Sequence, residues 1–197
     1  MNEGARHLPS TPSASPSPSS AVRIRRAFAV CVACAAVMLG CGTVTRIHAP
    51  VPLTARNRWV VLPFTNLAET VQAGERAEAM LDTVLRDRGI GSLDRYPAPK
   101  DDELRFSLSD RARFDSALAW AKGQHYDYGV TGSVEEWRYK SGNESEPAVG
   151  MTLTVIDLTN SKVVWSGSGS REGSSFQNAS GVALTLLGTL VDGMPLK

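Results

Sequence analysis

The sequence is poor in the residues that most catalysis and cross-linking require. Its 197 residues include three cysteines and three histidines, and all the cysteines lie between positions 31 and 41. No disulfide can therefore cross-link the chain beyond that point. The formal net charge is only +1, so no basic field indicates a nucleic-acid partner. With 42% hydrophobic and 21% charged residues, the composition excludes a disordered or collagen-like chain.

The first 40 residues differ in character from the rest. Residues 1–22 are mostly Ser, Pro and Ala, and three arginines at 23, 25 and 26 precede an uncharged run, 27–39. Basic residues followed by a short apolar run are typical of a secretory signal, and the run is too short to span a bilayer comfortably. The Arg25-Arg26 pair leaves both general secretion and twin-arginine export open. The 157 residues that follow position 40 contain 17 basic and 19 acidic residues, a net charge of −2.

The apolar run ends in Gly40-Cys41-Gly42, a small residue followed by a cysteine. This segment resembles the lipobox of bacterial lipoproteins. The resemblance implies cleavage before Cys41 and acylation of Cys41, with no other cofactor. A plain signal peptidase site is the alternative. In lipoproteins an aspartate after the cysteine favours inner-membrane retention, so Gly42 leaves outer-membrane sorting open. Residues 41–58 are predicted as an extended lipidated tether.

Residues 59–197 are predicted to form a single periplasmic domain. Apolar periodicity and turn residues predict the element order β-α-β-α-β-β-β-α. The predicted strands are 59–64, 92–96, 126–139, 149–158 and 162–170, and the predicted helices are 72–88, 109–123 and 178–192. The fold class is α/β (α+β), a mixed sheet with an antiparallel three-stranded meander and helices mainly on one face. Trp59 and Trp165 are predicted core residues, whereas Glu78 and Asp82 are predicted to face solvent.

The chain lacks the patterns of known catalytic and metal sites. His125 follows a predicted helix end with no second ligand at metal spacing. The serines at 166, 168 and 170 lie within a predicted strand and not at a nucleophile turn. Glu135 and Glu136 are adjacent on a strand and are predicted to point to opposite faces. We therefore expect no enzyme activity, no catalytic residue and no metal site.

Several segments together resemble the PelC lipoprotein family. They are Trp59-Val60-Val61-Leu62-Pro63-Phe64-Thr65-Asn66, Gln72–Ala77, Gly129–Lys140, Glu146–Gly150 and Val163–Ser166. The resemblance covers about residues 59–190. The opening segment alone is also similar to curli-secretion lipoproteins and to lipoprotein activators of penicillin-binding proteins.

The PelC resemblance implies a non-enzymatic part of a biofilm exopolysaccharide export apparatus. It implies a homo-oligomeric ring of about a dozen subunits, lipid-anchored at the periplasmic face of the outer membrane. Such a ring would guide a partly cationic polysaccharide to an outer-membrane porin. The alternative is a monomeric lipoprotein regulator that binds and activates a peptidoglycan synthase. The short tether favours the ring, because 17 residues reach about 60 Å at most.

A cationic polymer requires acidic side chains along its path. The candidate substrate-guiding acids are Asp101, Asp102, Glu103, Glu144 and Glu146, with Glu135 or Glu136 possible on the preceding strand. The small, Ser/Gly-rich strand at 165–170 is a candidate subunit contact. Phe176, in a polar loop, is either a candidate membrane-facing aromatic or a hydrophobic staple for the last helix.

Overall fold

The computed structural model describes residues 44–48, 52–97, 109–139 and 146–197. These residues form seven strands of one sheet and three helices. In chain order they are β1 Val44–His48, β2 Trp59–Val61, β3 Thr65–Asn66, α1 Ala73–Asp87, β4 Leu93–Arg95, α2 Asp110–Gly123, β5 Tyr128–Tyr139, β6 Pro147–Asp157, β7 Lys162–Glu172 and α3 Ala179–Asp192. From residue 59 onward the predicted order is confirmed, with the two-residue β3 added.

The sheet is mixed, and its order is β1-β7-β6-β5-β2-β4, with β3 beside the second half of β5. β2 runs parallel to both β4 and β5, whereas β5, β6, β7 and β1 are antiparallel to their neighbours. The antiparallel meander is thus confirmed. The meander is the larger part of the sheet, and the candidate site lies on it.

Helices pack on both faces of the sheet. α1 and α3 pack on one face over a core that includes the fully buried Trp59 and Trp165. α2 packs on the other face against Val60 and Ile156. Two of the three helices therefore share one face, as predicted. None of the described helices is both long and apolar enough to cross a membrane.

The segment preceding the domain pairs with it at two places. β1 lies antiparallel to β7, from Val44 opposite Ser170 to His48 opposite Ser166. Leu53 is buried, its N–H donates to the Pro195 carbonyl at 2.9 Å, and its own carbonyl accepts from Lys197 N–H. Part of the stretch predicted as a tether therefore belongs to the sheet, because β1 pairs with the backbone groups that the edge of β7 would otherwise leave free.

The prediction that Glu78 faces solvent is wrong. Glu78 is 9% exposed, and its Oε1 accepts a hydrogen bond from Phe64 N–H at 2.9 Å. Burial raises the pKa of Glu78 to about 7, against the lowering effects of that hydrogen bond and of Arg113, whose Nη2 lies 3.7 Å from Oε1. Helical periodicity places residue 78 at the edge of the buried stripe, and the backbone donor beyond β2 turns its carboxyl inward.

Glu78→Gln is expected to flatten the pH dependence of stability. Because the folded pKa of Glu78 is raised from 4.5 to about 7, the stability that its protonated carboxyl contributes is full below pH 4.5 and is lost as pH rises to 7. Over this pH window the free energy of unfolding of the wild type should fall by about 3 kcal/mol more than that of the variant. Urea unfolding between pH 4.5 and 8 measures this difference. The control is Glu75→Gln, because Glu75 lies on the same helix but is more exposed. Parallel curves for wild type and Glu78→Gln would contradict the expectation.

Candidate functional site

A β-bulge brings Glu135 and Glu136 to the same face of the sheet. Val134 and Trp137 are three residues apart, yet both are buried in the core under α1 and α3. The register of β5 against β6 shifts between Val134 and Glu136, so both glutamates lie on the opposite face. The prediction that they point to opposite faces is therefore wrong, because the bulge adds one residue and breaks the alternation.

The residue opposite the bulge is a glycine. A Cβ atom on Gly150 would lie 3.4 Å from the Glu136 Cβ and 3.9 Å from the Glu135 Cβ. The two glutamates thus flank the same backbone position. The missing side chain at 150 leaves room for a cleft of 390 Å³, which Thr152, Ser168 and Ser170 also line.

The two glutamates have different partners. Glu136 Oε1 lies 2.8 Å from Arg138 Nη2, with about half of the arginine side chain exposed. Glu135 accepts a hydrogen bond from Ser133 Oγ at 2.5 Å and is exposed. An exposed ion pair stabilises only weakly, so both carboxylates remain available to a cationic ligand. A second cleft of 290 Å³ extends from them to Leu67, Ala68 and Glu69.

Of the other candidate acids, only Glu146 is among the described residues. Asp101, Asp102, Glu103 and Glu144 lie outside the described residues, and so does Cys41. Glu146 is described and half-buried. It directly precedes β6, whose first residue Pro147 pairs with Tyr139.

Phe176 is almost wholly solvent-exposed. Its relative exposure is 98%, in the loop between β7 and α3. Asn178 caps α3, since its side-chain oxygen accepts from Gly181 N–H at 2.7 Å. A hydrophobic staple requires a packed ring, so the staple alternative for Phe176 is wrong.

Phe176, Glu146 and the start of β1 lie toward one end of the sheet. Ala148 pairs with Glu172 near the end of β7, and Gly173 N–H donates to the Pro147 carbonyl at 2.8 Å. Val44 pairs with Ser170, and Cys41 precedes Val44 by three residues. A chain of three residues reaches about 10 Å at most.

The described part of the chain holds no group of three or more His, Cys, Asp or Glu side chains placed to bind a metal ion. His125 is exposed in the turn after α2, at a φ of 58°. The serines at 166, 168 and 170 lie inside β7, as predicted.

The hydroxyl side chains of β5 and β6 are not among the site residues predicted from the sequence. Thr131, Ser133, Thr152 and Thr154 are half-buried on the same face as the two glutamates. Their signal is the alternation of hydroxyl with apolar residues along each strand, such as Thr152 and Thr154 beside the buried Leu153. That alternation indicates a polar face.

Comparison with known proteins gives two similar structures at a substantial level of identity. Both are PelC dodecamers from Paraburkholderia phytofirmans. The first is 33% identical with a TM-score of 0.67, covering 79% of this chain and 99% of that chain. The second, a single-substitution variant, is 33% identical with a TM-score of 0.68, covering 79% and 100%.

Lipoprotein GNA1162 from Neisseria meningitidis is 19% identical with a TM-score of 0.48, covering 72% of this chain and 96% of that one. No protein-family model matches the chain, and no curated protein matches it.

Proposed function

The chain belongs to the PelC family, and we propose that it is an outer-membrane lipoprotein whose identical subunits form a ring for exopolysaccharide export. The ring guides the polysaccharide through the periplasm to an outer-membrane porin during export of the biofilm matrix. Its role is structural and not enzymatic. The observation that carries this proposal is the 33% identity to PelC dodecamers along nearly their whole length.

The ring form suits the modest charge of a single subunit. Heterologous contacts between identical subunits close into a ring when the rotation permits. Each surface side chain is then repeated around the opening, and a narrow passage lined by one sign of charge concentrates its field. The exposed carboxylate of Glu135 supports this view, because one such group per subunit makes a negative annulus for a cationic polymer.

The orientation on the membrane follows from Cys41. A lipid on Cys41 would be attached three residues, at most about 10 Å of chain, before Val44, and Val44 lies at the end of the sheet that carries Phe176. Several acyl chains bind a bilayer far more tightly than one. An exposed aromatic ring at the same end enters the membrane interface favourably. This end of the domain therefore faces the outer membrane.

Native mass spectrometry tests the ring. We expect the lipidated protein in detergent, and the chain starting at Gly42, to give one closed oligomer of about a dozen subunits. Sedimentation over a range of concentrations provides the control for weak association. A monomer in both preparations at every concentration would contradict the proposal and favour the monomeric regulator.

Phe176→Ala is expected to weaken liposome binding of the non-acylated ring several-fold while leaving its melting temperature unchanged. The ring of Phe176 is 98% exposed, so its loss removes no packing inside the subunit. Vesicle co-sedimentation and thermal unfolding measure the two effects. Val163→Ala, which shortens an exposed apolar side chain at the opposite end of β7, is the matched control. Equal losses from both variants would contradict an interfacial role for Phe176.

A further inference from the structure

The sheet face opposite α1 and α3 carries a regular grid of hydroxyl groups. The grid has two rows that each cross β5, β6 and β7. The rows are Thr131, Thr154 and Ser166, and Ser133, Thr152 and Ser168. Directly paired residues lie about 5 Å apart across strands, and the rows lie about 7 Å apart along them. We call these six residues the hydroxyl face.

Most of these hydroxyls have no partner in the described part of the chain. Thr131 Oγ1 donates to the Pro63 carbonyl at 2.7 Å, and Ser133 Oγ donates to Glu135. The other four side chains of the hydroxyl face make no hydrogen bond within the described residues. Each hydroxyl offers one donor and two acceptor positions. The face therefore holds unused hydrogen-bonding capacity, open to water or to a ligand.

Two neighbouring clefts lie over the hydroxyl face. The first turns of α2, with Asp110, Arg111 and Phe114, border a cleft of 370 Å³ over Thr131, Ser133, Thr152 and Thr154. The cleft of 390 Å³ beside Glu135 and Glu136 lies over Thr152 and Ser168. Each has the volume of an ordinary small-ligand site. The hydroxyl face connects them, so the whole surface can hold an extended chain.

The composition of this face argues against a protein partner. The six residues carry no charge and no large apolar group, and the two rows continue on β1 at His48, opposite Ser166, and at Arg46, opposite Ser168. Protein interfaces enrich aromatic residues, methionine and arginine at their cores and deplete serine. An uncharged array of hydroxyls instead matches a ligand that is itself rich in hydroxyls. Because every hydroxyl both donates and accepts, a sugar chain finds partners at successive positions and is not locked in one register.

The two clefts add selectivity. The half-buried Phe114 lines the first cleft, and an aromatic ring there offers apolar contact to the C–H groups of a sugar ring. At the other cleft, Glu135 and Glu136 attract an amino group. The surface thus offers hydroxyl contacts along its length, an apolar contact in one cleft and negative charge in the other.

We infer that the hydroxyl face is a binding track for a polysaccharide chain of hydroxyl-rich sugars, some of which carry amino groups. This inference rests on the proposed export function and names the surface that contacts the polymer. Contacts are weak and numerous, which lets the chain move along the track.

The test measures binding of short oligosaccharides to the intact ring by saturation-transfer NMR. The probes are a neutral cello-oligosaccharide and a glucosamine oligomer of equal length. The test variant combines Thr152→Val, Thr154→Val and Ser168→Ala, which remove hydroxyls and keep strand-forming side chains. Thr83→Val with Thr185→Val, on exposed helix positions, is the matched control.

We expect the wild type to bind both probes and the triple variant to bind both at least about tenfold more weakly, since each lost hydrogen bond weakens binding about fivefold. The control should bind as the wild type does. Glu135→Gln with Glu136→Gln should weaken binding of the glucosamine oligomer and leave binding of the neutral oligosaccharide unchanged. If the triple variant does not fold, Thr154→Val alone serves as the test, and it should weaken the binding of both probes about fivefold.

Other outcomes overturn the inference. Unchanged binding in a folded triple variant would contradict the binding track, and so would the absence of binding of either probe to the wild-type ring. Neither result would contradict the proposed ring. Dissociation of the triple variant into subunits, with the control still a ring, makes the hydroxyl face a subunit contact. A wild type that forms no ring overturns the proposed function itself, which native mass spectrometry detects separately.

Discussion

Cys41→Ser is expected to move the protein from the outer membrane to the soluble periplasmic fraction. Serine in place of the thiol cannot receive the lipid, so the acyl chains that hold the subunit are lost. Each buried CH₂ group contributes about 0.8 kcal/mol, and several chains make release of the acylated protein negligible. Phe176 and the half-exposed Tyr139, which pairs with Pro147, are then the exposed large aromatics at that end among the described residues. Cell fractionation with a high-salt wash, together with the intact mass, measures the change.

The matched control is Cys34→Ser, which replaces a cysteine within the apolar segment ahead of the cleavage site. It should leave the mature protein and its location unchanged. Cys41→Ser protein that stays in outer-membrane vesicles after the wash would argue against the lipid anchor. A wild-type mass without lipid would favour the plain signal peptidase site.

Charge reversal at the bulge is expected to have the second large effect. Glu135→Lys with Glu136→Lys should reduce polysaccharide export several-fold, with protein level and ring mass unchanged. The change makes each subunit about four charges more positive, and the effect is repeated around a ring where charges within about 8 Å act together. Both side chains lie at the surface, so the fold tolerates the change. Glu135→Gln with Glu136→Gln should give a smaller loss.

Asp87→Lys with Asp192→Lys is the control, because both acids are exposed on α1 and α3, the helices on the other face of the sheet. Lysine at Glu78 is unsuitable, since that carboxyl is buried against Phe64. Glu144→Lys with Glu146→Lys is a second test, of the segment that precedes β6. Normal export from the Glu135/Glu136 lysine variant, with the ring intact, would remove the bulge from the polymer path.

Features that depend on neighbours in sequence were predictable. The three helices and the meander follow from apolar periodicity, which records on which side each residue is buried. The strand from Trp59 could be predicted because all its side chains are apolar, as a strand covered on both faces requires. The buried Trp59 and Trp165 followed from the same pattern.

Features that depend on distant partners were not predictable. β1 becomes a strand because β7, more than a hundred residues later, offers an open edge. Glu78 is buried because Phe64 N–H needs an acceptor, a contact that helical periodicity does not encode.

The amino-acid sequence by itself determined the order of the elements, the class of the fold, the resemblance to the PelC family and the cysteine available for lipid. Only the tertiary structure decided that Glu135 and Glu136 share one face and that two clefts lie over the hydroxyl face. The physical reason is the bulge opposite Gly150. Strand alternation is a local rule, whereas a bulge depends on the register between two strands, which no single strand's sequence contains.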